Sequence, residues 1–273
     1  MTESSDLRAR GVKWPALELR QFRLSPYNEK VRWALDALGA PHLRRSLLPG
    51  PHLPVVRRLT GQTATPILRI DKNWIAGSAA ILDALAQLSG AAWLHRGKDE
   101  AGQRARTIEA RFDDDWVPRI RRAVLASALG DPGFMASQFA AGRPALGRAL
   151  YRAILPLARE RIRQGNGIRT QADVTDGEQA IGEALDFVSA NLGPDGYLGG
   201  PRFGRLDLVV ASHLAAVANP PDSPMSRPEP MPEATRAMLE RWHDHPGSAW
   251  VREVYARHRG AKTDFEGMSE RMR

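Results

Sequence analysis

Ser25 stands between an alternating segment, Leu17 to Phe22, and a helix signal that begins at Pro26. A hydroxyl there lies at a helix N-terminus, where unpaired N–H groups and about half a positive charge favour anions. A thiol held beside it would receive a hydrogen bond from the hydroxyl and ionise more readily than its reference pKa of about 8.5 implies. The same residues also describe a plain N-cap, with Pro26 at the first helical position. The thiol has to arrive as a substrate. The chain contains no cysteine, which excludes disulfides, thiolate metal sites and a nucleophilic thiol of its own.

Two further places invite chemistry. Thr65-Pro66 follows Gly61-Gln62-Thr63 and opens an apolar run. It is either an ordinary loop-to-strand junction or a cis proline, which would turn the backbone polar groups of Thr65 outward to pair with an extended peptide. Gly77-Ser78 precedes a second helix. Ser78 is again a helix cap or part of a carboxylate site at a helix N-terminus. His42, His52 and His95 stand alone without metal-ligand spacing and read as solvated or supporting residues. Asp113-Asp114-Asp115 reads as a polar helix face, because adjacent helical residues point apart. Trp33, Trp93 and Trp116 read as core.

The elements that position these residues fall into two groups. Leu17–Phe22 alternates as a half-buried strand. A helix follows from Ser25 to Gly39, and Leu43–Leu48 reads as a second, parallel strand, giving a βαβ unit. A stretch around Pro54 reads as irregular. Pro66–Ile70 and Trp74–Ala76 then flank Asp71-Lys72-Asn73 as a β-hairpin, and a helix runs from Ser78 to Gly90. This predicts a small α/β domain over 14–92. Beyond it strand signals disappear, and helices are expected over 104–129, 145–164, 176–192, 207–218 and 233–259. An all-helical domain over 100–260 follows. Six prolines between Asn219 and Pro232 make that segment a loop, and the last dozen residues read as frayed.

Composition narrows the class. At 273 residues, with 42% apolar and 26% charged residues, the chain is an ordinary globular protein. It has no apolar run long enough to span a membrane and no secretory h-region near Met1, so a cytoplasmic location is expected. The net charge of +8 raises nucleic acid as a partner. The basic residues are scattered in pairs such as Arg44-Arg45 and Arg57-Arg58, not gathered in a stripe, so nucleic-acid binding is not expected.

The ordered set Ser25-Pro26-Tyr27-Asn28, Thr65-Pro66 and Ser78, followed by Tyr197 to Asp207, resembles the cytosolic glutathione transferases over nearly the whole chain. The resemblance implies a thioredoxin-like N-terminal domain that holds glutathione and a helical C-terminal domain that covers a small electrophile. It implies the serine type, with Ser25 as the catalytic hydroxyl, since Gln21 stands where the tyrosine type carries its phenol. Thr65 and Pro66 match the residues that bind the cysteinyl backbone, and Gly77 and Ser78 match the γ-glutamyl site. Asp207 matches the acid of a folding capping box. Glutathione is then the co-substrate, no metal is needed, and the protein is a homodimer. Gly77 departs from the family, which usually has an acid there. Asp113 or Asp114 of a second copy is a candidate substitute. The position near Ala64 also lacks the common cation that binds the glycine end. A catalytically weak binding protein with the same fold is the alternative implied by these departures.

Overall fold

The computed structural model describes residues 7–141, 143–260 and 267–268. The first strand, β1 (Leu17–Gln21), is central in its sheet and not half-buried. Leu17 and Leu19 enter the core, while Glu18, only 5% exposed, is neutralised by Arg20, Arg45 and Arg69. Helix α1 (Pro26–Leu38) follows. Gly39, at φ +65°, ends it by donating to the Asp36 and Leu35 carbonyls. Strand β2 (Leu43–Ser46) runs parallel to β1.

The stretch expected to be irregular is a helix, α2 (His52–Thr60). Pro54 sits in its first turn, where a helical N–H has no intrahelical partner, so the proline breaks nothing. Strands β3 (Ile67–Ile70) and β4 (Asn73–Ala76) form the hairpin. Ile70 pairs with Asn73, so the turn is only Asp71-Lys72, with Asp71 left-handed at φ +53°. Helix α3 (Ser78–Ser89) closes this half.

Helices α4 (Glu100–Arg111), α5 (Val117–Ala128), α6 (Pro132–Phe139) and α7 (Ala145–Gly165) come next. They are followed by α8 (Gln171–Asn191), α9 (Arg205–Ala218), α10 (Glu233–His243) and α11 (Pro246–His258). The single helix expected over 104–129 is therefore two, joined by a five-residue π-helical segment, Phe112–Trp116. The helix expected over 233–259 is also two, parted at Asp244-His245. The expected frayed tail falls mostly outside the described residues. Gly267–Met268 form a short strand, β5, antiparallel to β2, which gives the sheet order β4-β3-β1-β2-β5.

This is an α/β thioredoxin-like N-terminal domain followed by an all-helical region, as the sequence led us to expect. One contiguous apolar core joins the halves. It includes Leu19, Trp33 and Leu82 from the first and Trp116, Leu185 and Val209 from the second. Every residue of α9 except Ala216 is buried, as expected of a helix packed on all sides. The cap of α9 works as the sequence suggested. Asp207 accepts from the N–H of Gly204 at 3.0 Å and of Leu198 at 2.7 Å. Among the described residues no helix is long and apolar enough to cross a membrane.

Candidate functional site

Ser25 is the N-cap residue of α1 by backbone geometry. Its carbonyl accepts from the N–H groups of Asn28 and Glu29, but its hydroxyl makes no capping bond. The simplest structural role for this side chain is thus unfilled. One turn on, Asn28 is fully buried and donates from Nδ2 to Thr65 Oγ1 at 3.3 Å, which ties α1 to the loop before β3. The Thr65–Pro66 bond is cis. The Pro66 carbonyl accepts from the Gly77 N–H at 3.2 Å, which sets the start of α3 beside the proline. Gly77, not Ser78, is the N-cap of α3, and its φ of +91° is a conformation that favours glycine. Ser78, 6% exposed, is the first residue of the helix and makes no capping bond.

The structure therefore links Ser25, Thr65, Pro66, Gly77 and Ser78 through Asn28 and the Pro66–Gly77 bond. Of two cavities in the structure, only one is lined by any of the five, and only by Ser25. Ser25 lines an apolar pocket of about 220 Å³ between the two halves, with Phe22, Tyr27, Val117, Ile120 and Val124 among its walls. A wider groove of about 1150 Å³, lined by Leu7, Trp93 and Phe203, contains none of the five residues.

Behind this pocket lies a charge cluster that the sequence did not reveal. Asp113 accepts from Lys30 Nζ at 2.6 and 2.8 Å and from His213 Nε2 at 2.7 Å. Burial alone would raise the Asp113 carboxyl, but the bonds from His213 and Lys30 outweigh it and hold the group below the usual carboxylate range. Burial also pulls Lys30 and His213 down. Donation from Nε2 makes Nδ1 the unprotonated nitrogen of His213. That atom is buried and has no hydrogen-bond partner among the described residues. Tyr27 donates its phenolic proton to the Asp113 carbonyl at 2.6 Å, and burial raises its pKa further, so it remains a neutral phenol.

Several expectations change here. Asp113 is turned inward and its carboxylate is engaged, so it is not available to a second copy, while Asp114 is exposed. The π-helical segment is the cause. It adds a residue to the turn, as the Val117 N–H bond to the Phe112 carbonyl shows. His42 is not solvated. It is 2% exposed, donates from Nδ1 to the Ala40 carbonyl and accepts from Arg44 at Nε2. Gln21 is buried in the sheet and bonds Ser46 Oγ at 3.3 Å. No group of acids and histidines that could hold a metal occurs among the described residues.

With this geometry in hand, the relatives fall into place. Residues 19–93 match the glutathione S-transferase N-terminal domain. In overall fold the chain is similar to a glutathione S-transferase from Rhodospirillum rubrum F11, with 15% identity, 93% of this chain and 96% of that one covered, and a TM-score of 0.61. It is similar to the theta class glutathione S-transferase from Xanthomonas axonopodis pv. citri with glutathione bound, at 17% identity, 86% and 95% coverage and a TM-score of 0.53. It is also similar to FzlA from C. crescentus, at 18% identity, 86% and 91% coverage and a TM-score of 0.51. No curated protein matches the sequence. Residues 19–93 thus carry a glutathione S-transferase N-terminal domain, and the chain as a whole shares the fold of these proteins.

Proposed function

We propose that this protein is a serine-type glutathione transferase, in which Ser25 donates a hydrogen bond to the glutathione thiolate. The sulfur then attacks a small electrophile in the apolar pocket. A carbon–sulfur bond forms, and the electron pair leaves with the departing group or is protonated at the acceptor carbon. The backbone of Thr65 before Pro66 holds the cysteinyl part of glutathione, and Ser78 at the start of α3 takes its γ-glutamyl carboxylate. The carrying observation is the Ser25 hydroxyl, which lines the pocket at a helix N-terminus without capping that helix. The protein acts as a cytoplasmic homodimer in this reading, and light scattering tests the dimer.

Calorimetry with reduced glutathione, paired with turnover of a chlorinated aromatic electrophile, tests the catalytic role. Wild type is expected to bind at millimolar concentration or tighter. Ser25→Ala is expected to lose little affinity and about 10²-fold in turnover, the size of one donor aimed at developing charge. Absence of binding at millimolar glutathione would overturn the proposal.

A second reading is favoured by Gly77. No side chain there accepts the γ-glutamyl ammonium, and a Cβ built on it meets nothing within 4 Å. In that reading the fold binds a ligand without turning it over. Tight binding with no turnover in either form would select it.

A further inference from the structure

The pocket beside Ser25 has a cation in its wall that no acid among the described residues offsets. Arg227 lies in the proline-rich loop after α9. Its N–H donates to Asn219 Oδ1 at 2.8 Å and its Nη1 donates to the Ala216 carbonyl at 2.7 Å. Ala216 of α9 lines this pocket together with His213, so the second bond anchors the guanidinium against the wall. Among the described residues no carboxylate pairs with Arg227. Burial accordingly draws its pKa down to about 10, and it stays charged at neutral pH.

The other charged side chain on the wall is also a cation, Arg121 of α5. Asp113, the acid of the cluster behind the pocket, is taken up by Lys30 and His213 and does not reach the wall. Most of the remaining lining is apolar. A guanidinium offers five N–H donors in a planar fork, and the Ala216 carbonyl uses one of them. Placing such a group in an apolar wall without a counter-charge is costly. A bidentate carboxylate offsets that cost better than a neutral polar group does.

From these contacts we infer that the second substrate is a small apolar molecule bearing a carboxylate, which Arg227 grips while the apolar body lies between Tyr27 and α5. The volume of about 220 Å³ keeps that body small, below the roughly 300–1,000 Å³ of sites for drug-sized ligands. The inference rests on the reading that the same pocket receives the electrophile, but its test does not need glutathione.

The test is calorimetric titration of the full-length protein, free of glutathione, with 4-phenylbutanoate and with its neutral counterpart 4-phenylbutanamide. Wild type is expected to bind the carboxylate at least about tenfold tighter, as charge-assisted bonds to a fixed guanidinium imply. The preference should fall to near unity in Arg227→Met and survive in part in Arg227→Lys. Equal or undetectable binding of both compounds by wild type would overturn the inference, whether or not either variant folds. A preference that persists in full in Arg227→Met would overturn it as well. Because glutathione is absent, failure of Ser25 to activate a thiol leaves this result readable.

Discussion

Asp113 accepts from two buried partners, and Lys30 is 1% exposed. The ammonium was removed from water to meet that carboxylate, so deleting the charge leaves an orphan cation. Asp113→Asn is predicted to destabilise the fold by about 3–5 kcal/mol in urea titration. Combining it with Lys30→Met should recover much of the loss. A cost below about 1 kcal/mol would show that the pair is solvated. His42 gives a pH signature at the same scale. Burial, with Arg44 beside it, lowers its pKa to about 4, against about 6.5 when unfolded. The folded pKa is depressed, so the unfolded chain binds more protons between these values. The contribution is intact above about pH 6.5 and is lost as pH falls toward about 4. Unfolding free energies at the two ends should differ by a few kcal/mol more in wild type than in His42→Gln. Equal differences would contradict the assignment.

Among the elements, α5 and α8 approach closely at Gly177. A Cβ there would stand 2.6 Å from the Arg119 carbonyl and 2.9 Å from the Ala123 nitrogen, both backbone atoms. Gly177→Ala is predicted to cost about 1–3 kcal/mol by forcing the helices apart, although alanine favours a helix. A more stable variant in thermal unfolding would contradict this packing. The elements also show how far the sequence could be followed. The strands, α1 and α3 were legible because Ser25-Pro26, Gly39 and Gly90 punctuate runs with clear periods. Helix α2 was not, since Pro54 reads as a breaker until its place in the first turn is known. The π-helical segment was hidden for a different reason. Apolar spacing on either side of Phe112–Trp116 stays helical, and one added residue in a turn leaves no compositional mark. That segment turns Asp113 inward, so the Lys30–Asp113–His213 cluster was lost with it. The partners lie 83 and 100 positions apart in the chain, and no short motif could join them.

At the scale of the whole molecule, charge holds the two halves together. Arg205, at the start of α9, pairs with Asp83 of α3 at 2.6 Å and Glu109 of α4 at 3.0 Å. Arg259, just after α11, pairs with Glu29 and Asp36 of α1. Arg32 and Arg44 are likewise buried and paired. These four arginines are internal and present no surface to nucleic acid, but the four acids they pair with balance them, so the net charge of +8 sits elsewhere in the chain. The bonds from Tyr27 and Lys30 of α1 to Asp113 hold the Ser25 turn against the helices that wall its pocket. We propose that this turn lowers the pKa of a bound thiol. It is tested most directly by following the ultraviolet absorbance of the glutathione thiolate bound to the protein as pH is raised. Wild type should ionise it well below the free-thiol value of about 8.5, and Ser25→Ala should return it toward that value. A midpoint near 8.5 in wild type, or an unchanged low midpoint in Ser25→Ala, would contradict this role for Ser25.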